Sequence, residues 1–70
     1  MTTISRLAKQ FNLSRSTLLY YDRIGILRPS GRIPANYRLY TDRDRQRLAA
    51  ICHYRQMGVS LMAIRQILDA

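Results

Sequence analysis

The 70-residue sequence contains no Glu, and only one Lys (Lys9), one Cys (Cys52) and one His (His53). One Cys cannot form an internal disulfide, and one Cys beside one His cannot close a tetrahedral metal site within a chain. No apolar run approaches the ~20 residues that a membrane span needs, and the N-terminus lacks the apolar core of a signal peptide. The expectation is a soluble cytoplasmic protein with no membrane partner. The carboxylates are only Asp22, Asp42, Asp44 and Asp69. None of them, and not His53, stands in a nucleophile or acid–base motif, so no enzyme is expected. Repeats and low-complexity tracts are absent. A chain of this length makes one small domain with a marginal core, so packed helices and strands must stabilise it.

What is abundant is arginine. Lys and Arg together number 12 against 4 acidic residues, a formal net charge of +8. Such an excess points to a polyanionic partner, most often nucleic acid. The apolar fraction of 47% separates the chain from a disordered basic tail.

The apolar pattern predicts a mostly α protein. Ile4, Leu7, Ala8 and Phe11 recur at i, i+3, i+4 and i+7, one face of a short helix that Thr3 or Ser5 can cap. Asn12 tolerates the left-handed conformation and reads as its stop. Ser14 reads as the next N-cap, with a second helix from Arg15 to about Ile24 and Gly25 just past its end. Two short helices joined by so brief a turn have helix-turn-helix spacing. Ile26 to Arg28 and Tyr37 to Tyr40 are β-compatible, separated by the loop from Pro29 to Asn36, and together read as a two-stranded wing. Thr41 with Asp44 makes a capping box for a third helix. That helix carries Leu48, Ile51 and Cys52 on one face and stops at Gly58. Ser60 caps a fourth, with Leu61, Ile64, Ile67 and Leu68 on one side. The element order is therefore α-α-β-β-α-α: helix-turn-helix over about 4–24, wing over about 26–40, helix pair over about 42–69.

Two groups of residues carry the functional expectation. On the second helix, Leu18 and Tyr21 form the core stripe, and Ser16, Leu19, Tyr20 and Arg23 lie opposite, with Arg15 at the N-terminal edge. Hydroxyl and guanidinium groups read base edges or grip phosphates, and an apolar group contacts a thymine methyl. The plainer alternative is an ordinary solvated face. Around the wing, Arg28, Arg32 and Arg38 suit bidentate phosphate contact, and Tyr37 can donate to a phosphate. The alternative there is a solubilising loop. Tyr40 reads as core. Arg43, Arg45, Arg47 and Arg55 crowd the third helix, either as a solvated basic face or to steer the nucleic-acid backbone, with Asp44 available to pair with Arg45 or Arg47. Cys52 reads as a small core residue, and the methionines as gap-filling or terminal.

Three stretches resemble the signature of the MerR family of bacterial transcriptional regulators. They are SRSTLLYYDRIGILRP from Ser14 to Pro29, NYRLY from Asn36 to Tyr40, and MGVSL from Met57 to Leu61 followed by Ile64, Ile67 and Leu68. The resemblance spans essentially the whole chain. It implies a winged helix-turn-helix with no cofactor or metal in this domain. It further implies a homodimer on a pseudo-palindromic promoter operator, in the bacterial cytoplasm at the nucleoid. An effector makes such a dimer distort promoter DNA and realign it for RNA polymerase, a use of DNA deformability. Arg15, Ser16 and Thr17 match the start of the family's recognition helix. Tyr20 and Tyr21 match its paired aromatics, and Tyr37-Arg38 its wing dipeptide. Leu19 stands where many members carry Arg, and Asn36 where Gly is usual. The dimerisation helix and effector domain of such regulators are expected to lie outside this sequence. A stand-alone excisionase-like DNA-bending factor is the other reading that this fold and length allow.

Overall fold

The computed structural model describes residues 1–32 and 38–70. Its elements are β1 (Thr2–Thr3), α1 (Ile4–Gln10), α2 (Arg15–Arg23), β2 (Gly31–Arg32), β3 (Arg38–Tyr40), α3 (Asp42–Gln56) and α4 (Leu61–Asp69). The order is thus β-α-α-β-β-α-α, the expected winged helix-turn-helix with one strand added at the front. Tyr37 and Asn36, both expected in the wing, lie outside the described residues, as does Pro34.

Every expected helix start is capped by a side chain. Thr3 accepts from the Arg6 N–H at 3.4 Å, Ser14 from Thr17 at 3.1 Å and Ser60 from Ala63 at 3.2 Å. Thr41 accepts from Asp44 N–H while the Asp44 carboxylate takes Thr41 N–H at 2.9 Å, a complete capping box.

Three helix ends share one device. Asn12 (φ 55°), Gly25 (φ 78°) and Gly58 (φ 84°) each turn the chain left-handed just past α1, α2 and α3. The next residues, Leu13, Ile26 and Val59, then donate back to Ala8, Tyr21 and Tyr54 carbonyls at 2.8–3.0 Å. This Schellman pattern satisfies carbonyls that the helix leaves open and turns an apolar residue inward. Gly25 and Gly58 hold conformations that a Cβ would strain.

The end of α2 corrects one expectation. Ile26 and Leu27 are not a wing strand: both N–H groups bond to the Tyr21 carbonyl, at 3.0 and 3.2 Å, and both side chains are buried. The first wing strand is instead β2, which pairs antiparallel with β3 at Gly31↔Leu39 and Arg32↔Arg38. The other edge of β3 pairs with β1, Thr2↔Tyr40 and Thr3↔Leu39, so the sheet has three strands ordered β1-β3-β2.

The core joins all these pieces. Ile4, Leu7 and Ala8 of α1 meet Leu18 and Tyr21 of α2, Ile26 and Leu27, Tyr40 of β3, Leu48 and Ile51 of α3, and Ile64 of α4. Cys52 packs half-buried against it, and burial pushes its thiol pKa up. On α4 the expected stripe is only partly covered. Ile64 is buried and Leu61 and Leu68 are half-buried, but Ile67 is exposed. Met57 and Met62 are exposed and fill no gap.

The carboxylate of Asp44 pairs with neither Arg45 nor Arg47. Its Oδ2 accepts both the Thr41 and the Ser30 N–H, the latter at 3.2 Å, fastening the chain before β2 to the start of α3. Arg45 pairs instead with Asp42 at 3.7 Å, and Arg47 with Asp69 at 2.8 Å. The capping box turns the Asp44 carboxylate back toward the helix start and the Ser30 loop rather than along the helix toward Arg45 or Arg47.

Candidate nucleic-acid interface

Helix α2 positions the first half of the interface. Its successive side chains step about 100° around the axis, so burying Leu18 and Tyr21 turns Ser16 and Arg23 straight outward. Both are exposed, as is Arg15 at the first turn. Thr17 and Leu19 are half-buried. The Thr17 hydroxyl lies 3.0 Å from the Ser14 hydroxyl in the N-cap, and Leu19 packs against the core. Tyr20 is 47% exposed, yet it leans toward α4, where it lines an apolar groove with Ile24, Leu61 and Met62.

Tyr21 is 7% exposed and belongs to the core, so its ring is not on the outward face with the other expected contacts. Burial raises its pKa, Cys52 adds to the rise, and Arg55 opposes it. The paired aromatics Tyr20 and Tyr21 thus divide, one outside and one inside, with ring centres 6.4 Å apart. The two positions are 100° apart around the axis, so with Leu18 fixing the buried side Tyr21 faces the core and Tyr20 turns away from it.

The wing supplies the second half. Arg32 on β2 and Arg38 on β3 are cross-strand partners, and both reach Asp22 on α2. Arg38 Nε donates to Asp22 Oδ2 at 2.9 Å, and Arg32 Nη2 donates to the same oxygen at 3.3 Å. Asp22 is nearly buried, its side chain 15% exposed, beneath two guanidinium groups that remain 27% and 43% exposed. A guanidinium offers five donors in a fixed fork. Each can therefore hold the carboxylate and still present N–H groups outward. Arg28 is exposed, with its guanidinium packed over Gly25. Among the described residues, Arg6, Arg15, Arg23 and Arg28 have no carboxylate partner.

The arrangement can do one thing well. It sets an exposed helix face of hydroxyl and guanidinium groups beside an arginine pair of fixed spacing, on a chain of charge +8. That is the layout of backbone grip plus base-edge contact. Among the described residues, no group of three or more His, Cys, Asp or Glu side chains is placed to hold a metal ion, and no helix is long and apolar enough to cross a membrane.

The family of MerR HTH family regulatory proteins matches this sequence over residues 2–70. The chain belongs to the MerR family. It is 40% identical over 69 residues to the HTH-type transcriptional regulator ZntR of Escherichia coli, covering 99% of this chain and 49% of that protein. The chain thus spans about half the length of that relative. Its fold is similar to the N-terminal part of MtaN, the Bacillus subtilis multidrug transporter activator, with a TM-score of 0.96 and 36% identity over 100% of this chain and 66% of that one. It is also similar to HiNmlR, a MerR family regulator lacking the sensor domain and bound to promoter DNA. There the TM-score is 0.83 and the identity 31%, over 96% of this chain and 53% of that one. The excisionase-like alternative finds no support beside these MerR regulators.

Sequence reasoning missed Asp22, the residue that ties α2 to both wing strands. Asp22 was legible in one respect: it is the only acidic residue in the first 41 positions. A lone carboxylate on a basic recognition helix signals a structural partner.

Proposed function

We propose that this chain is the operator-recognition domain of a MerR-type transcriptional regulator. In this reading α2 enters the major groove with Arg15, Ser16, Leu19, Tyr20 and Arg23, and the β2–β3 wing lays Arg32 and Arg38 on the flanking backbone. Arg28 adds a further phosphate contact. The observation that carries the reading is Asp22, which fixes the wing's two arginines to the helix that bears the base-reading side chains. Groups that must contact one duplex simultaneously have to be held in register. HiNmlR, a MerR family regulator captured on promoter DNA, supports DNA recognition by this fold.

A MerR-type regulator carrying this domain would act as a homodimer on a pseudo-palindromic operator in the bacterial cytoplasm. Half-sites related by a two-fold axis follow from dimer symmetry. An effector bound elsewhere in that protein biases a distorted promoter geometry that RNA polymerase uses. No cofactor is needed in this domain, and no enzymatic step is assigned to it.

The test is selection from a library of random duplexes at low salt, followed by sequencing of the bound fraction. Enrichment of a defined half-site, single or inverted, is the expected result. No enrichment over input would reduce the function to non-specific electrostatics. The affinity should also fall with salt: about five neutralised phosphates per domain give a slope of log K against log salt of roughly −4 to −5. A curve flat in salt would overturn the electrostatic part.

A further inference from the structure

The far end of the recognition helix is held as firmly as its start. At and just past the end of α2, the Ile24 and Ile26 carbonyls each accept from an arginine of another helix. Arg65 of α4 donates Nη1 to the Ile24 carbonyl at 2.9 Å, and Arg47 of α3 donates Nε to the Ile26 carbonyl at 2.7 Å. One residue joins the two arginines. Asp69, in the last turn of α4, accepts from Arg47 Nη2 on Oδ1 at 2.8 Å and pairs through Oδ2 with Arg65 Nε at 3.6 Å.

Within α4 this carboxylate makes only the exposed i,i+4 pair with Arg65, a weak contribution. A negative charge in a last turn opposes the helix dipole. The end of α2 does gain, because its C-cap carbonyl at Ile24 receives the Arg65 cation, and Arg47 fastens the turn beyond it at Ile26. A Cβ at Gly25 would crowd the Arg28 guanidinium at 3.3 Å and meet the Arg65 guanidinium carbon at an ordinary contact distance of 3.6 Å. The pair with Arg47 holds the Asp69 carboxyl below the usual carboxylate range.

We infer that Asp69 is a positioning residue for sequence recognition, holding Arg65 on the C-cap carbonyl of α2 and Arg47 on the turn just past it, and so fixing the pitch of the recognition helix. The inference rests on the DNA-reading function proposed above. Helix α2 has nine residues and is a lever of about 13 Å. A tilt of roughly 10° at its C-terminal end moves its N-terminal side chains by about 2 Å, enough to break a base-edge hydrogen bond. Phosphate contacts, being charge-driven and tolerant, survive such a shift. Asp69 therefore governs discrimination rather than overall affinity. It also ties the end of α4 to the recognition helix, so a displacement of one is felt by the other.

The experiment compares the 70-residue chain with Asp69→Asn, Asp69→Glu and Arg65→Lys, on the duplex enriched in the selection and on a scrambled duplex of equal length. Asp69→Asn is expected to lower the ratio of the two affinities roughly tenfold, the scale of one mismatched base pair. Its affinity for the scrambled duplex should hold or rise, since a negative charge is lost. Asp69→Glu should restore most of the ratio. Arg65→Lys keeps the charge but has a single point of donation, and should lower the ratio in a protein that folds normally by circular dichroism. An unchanged ratio in both Asp69→Asn and Arg65→Lys, or an equal loss on both duplexes, overturns the inference while leaving the function standing. A parent chain that prefers neither duplex overturns both.

Discussion

Asp22 Oδ2 lies 2.9 Å from Arg38 Nε and 3.3 Å from Arg32 Nη2, so a single carboxylate oxygen joins the recognition helix to both strands of the wing. The pairs are partly buried, which keeps them from the near-zero value of fully exposed bridges. Asp22→Ala is expected to cost about 1–2 kcal/mol of stability, and Arg38→Ala a similar amount. In a double-mutant cycle the two should couple by about 1 kcal/mol, read from chemical denaturation. Additive effects would mean that the contact does not lock the wing.

The function proposed above gives the same arginine a second role on DNA. Arg38→Ala is expected to weaken binding to all duplexes alike and to flatten the salt slope by about one unit, the signature of one lost phosphate contact. Ser16→Ala, at the outward centre of α2, should instead change the preference at particular bases. Fluorescence anisotropy on matched and scrambled duplexes over a salt series separates the two. A change of preference from Arg38→Ala with intact non-specific affinity would reverse the assignment.

Asp44 is 9% exposed and accepts two backbone N–H groups, from Thr41 and Ser30. Asp44→Ala removes half of a capping box and orphans two donors, at an expected cost of about 2–3 kcal/mol. Asp44→Asn keeps an oxygen acceptor without the charge and should lose about half as much. Thermal unfolding measures both. Equal losses would mean that the charge, not the acceptor geometry, matters.

What the sequence made legible was local. Thr3, Ser14, Thr41 and Ser60 cap within three residues of themselves, and Asn12, Gly25 and Gly58 turn the chain where they stand, so their physics is contained in a short window. The same holds for the outward placement of Ser16 and Arg23. The strand Thr2–Thr3 was hidden because two residues show no alternation, and its pairing partner lies nearly forty positions away. Ile26 and Leu27 looked like a strand because a short apolar run has no period of its own. The links from Asp22 to Arg38, Asp44 to Ser30 and Asp69 to Arg47 each join different elements. Only the folded backbone brings them together. Tyr21 was legible as core from its helical angle, and its burial removes it from the outward face that its neighbour Tyr20 partly shares.

Tyr40 sets the behaviour of the protein in alkali. Its ring is fully buried, and its hydroxyl has no hydrogen-bond partner among the described residues. Burial raises its pKa above the ordinary value, and Asp22 adds to the rise while Arg38 opposes it; burial likewise raises Tyr21. A phenol whose folded pKa is raised binds its proton more tightly in the native state. Its contribution is therefore complete below the unfolded value of about 10 and is lost as pH rises through the folded value. Stability should hold from pH 7 to about 8, begin to fall above the ordinary thiol value of about 8.5 as Cys52, whose pKa burial also raises, comes into play, and fall further above about 10. Tyr40→Phe removes a buried polar atom that makes no bond, so stability at pH 7 should be unchanged or up to about 1 kcal/mol higher. The alkaline decline should then be shallower, with Tyr21 alone driving what remains of the two. Denaturant midpoints at pH 7 and 10.5 decide the matter: a Tyr40→Phe variant that loses more than about 1 kcal/mol at pH 7 would reveal a partner for that hydroxyl.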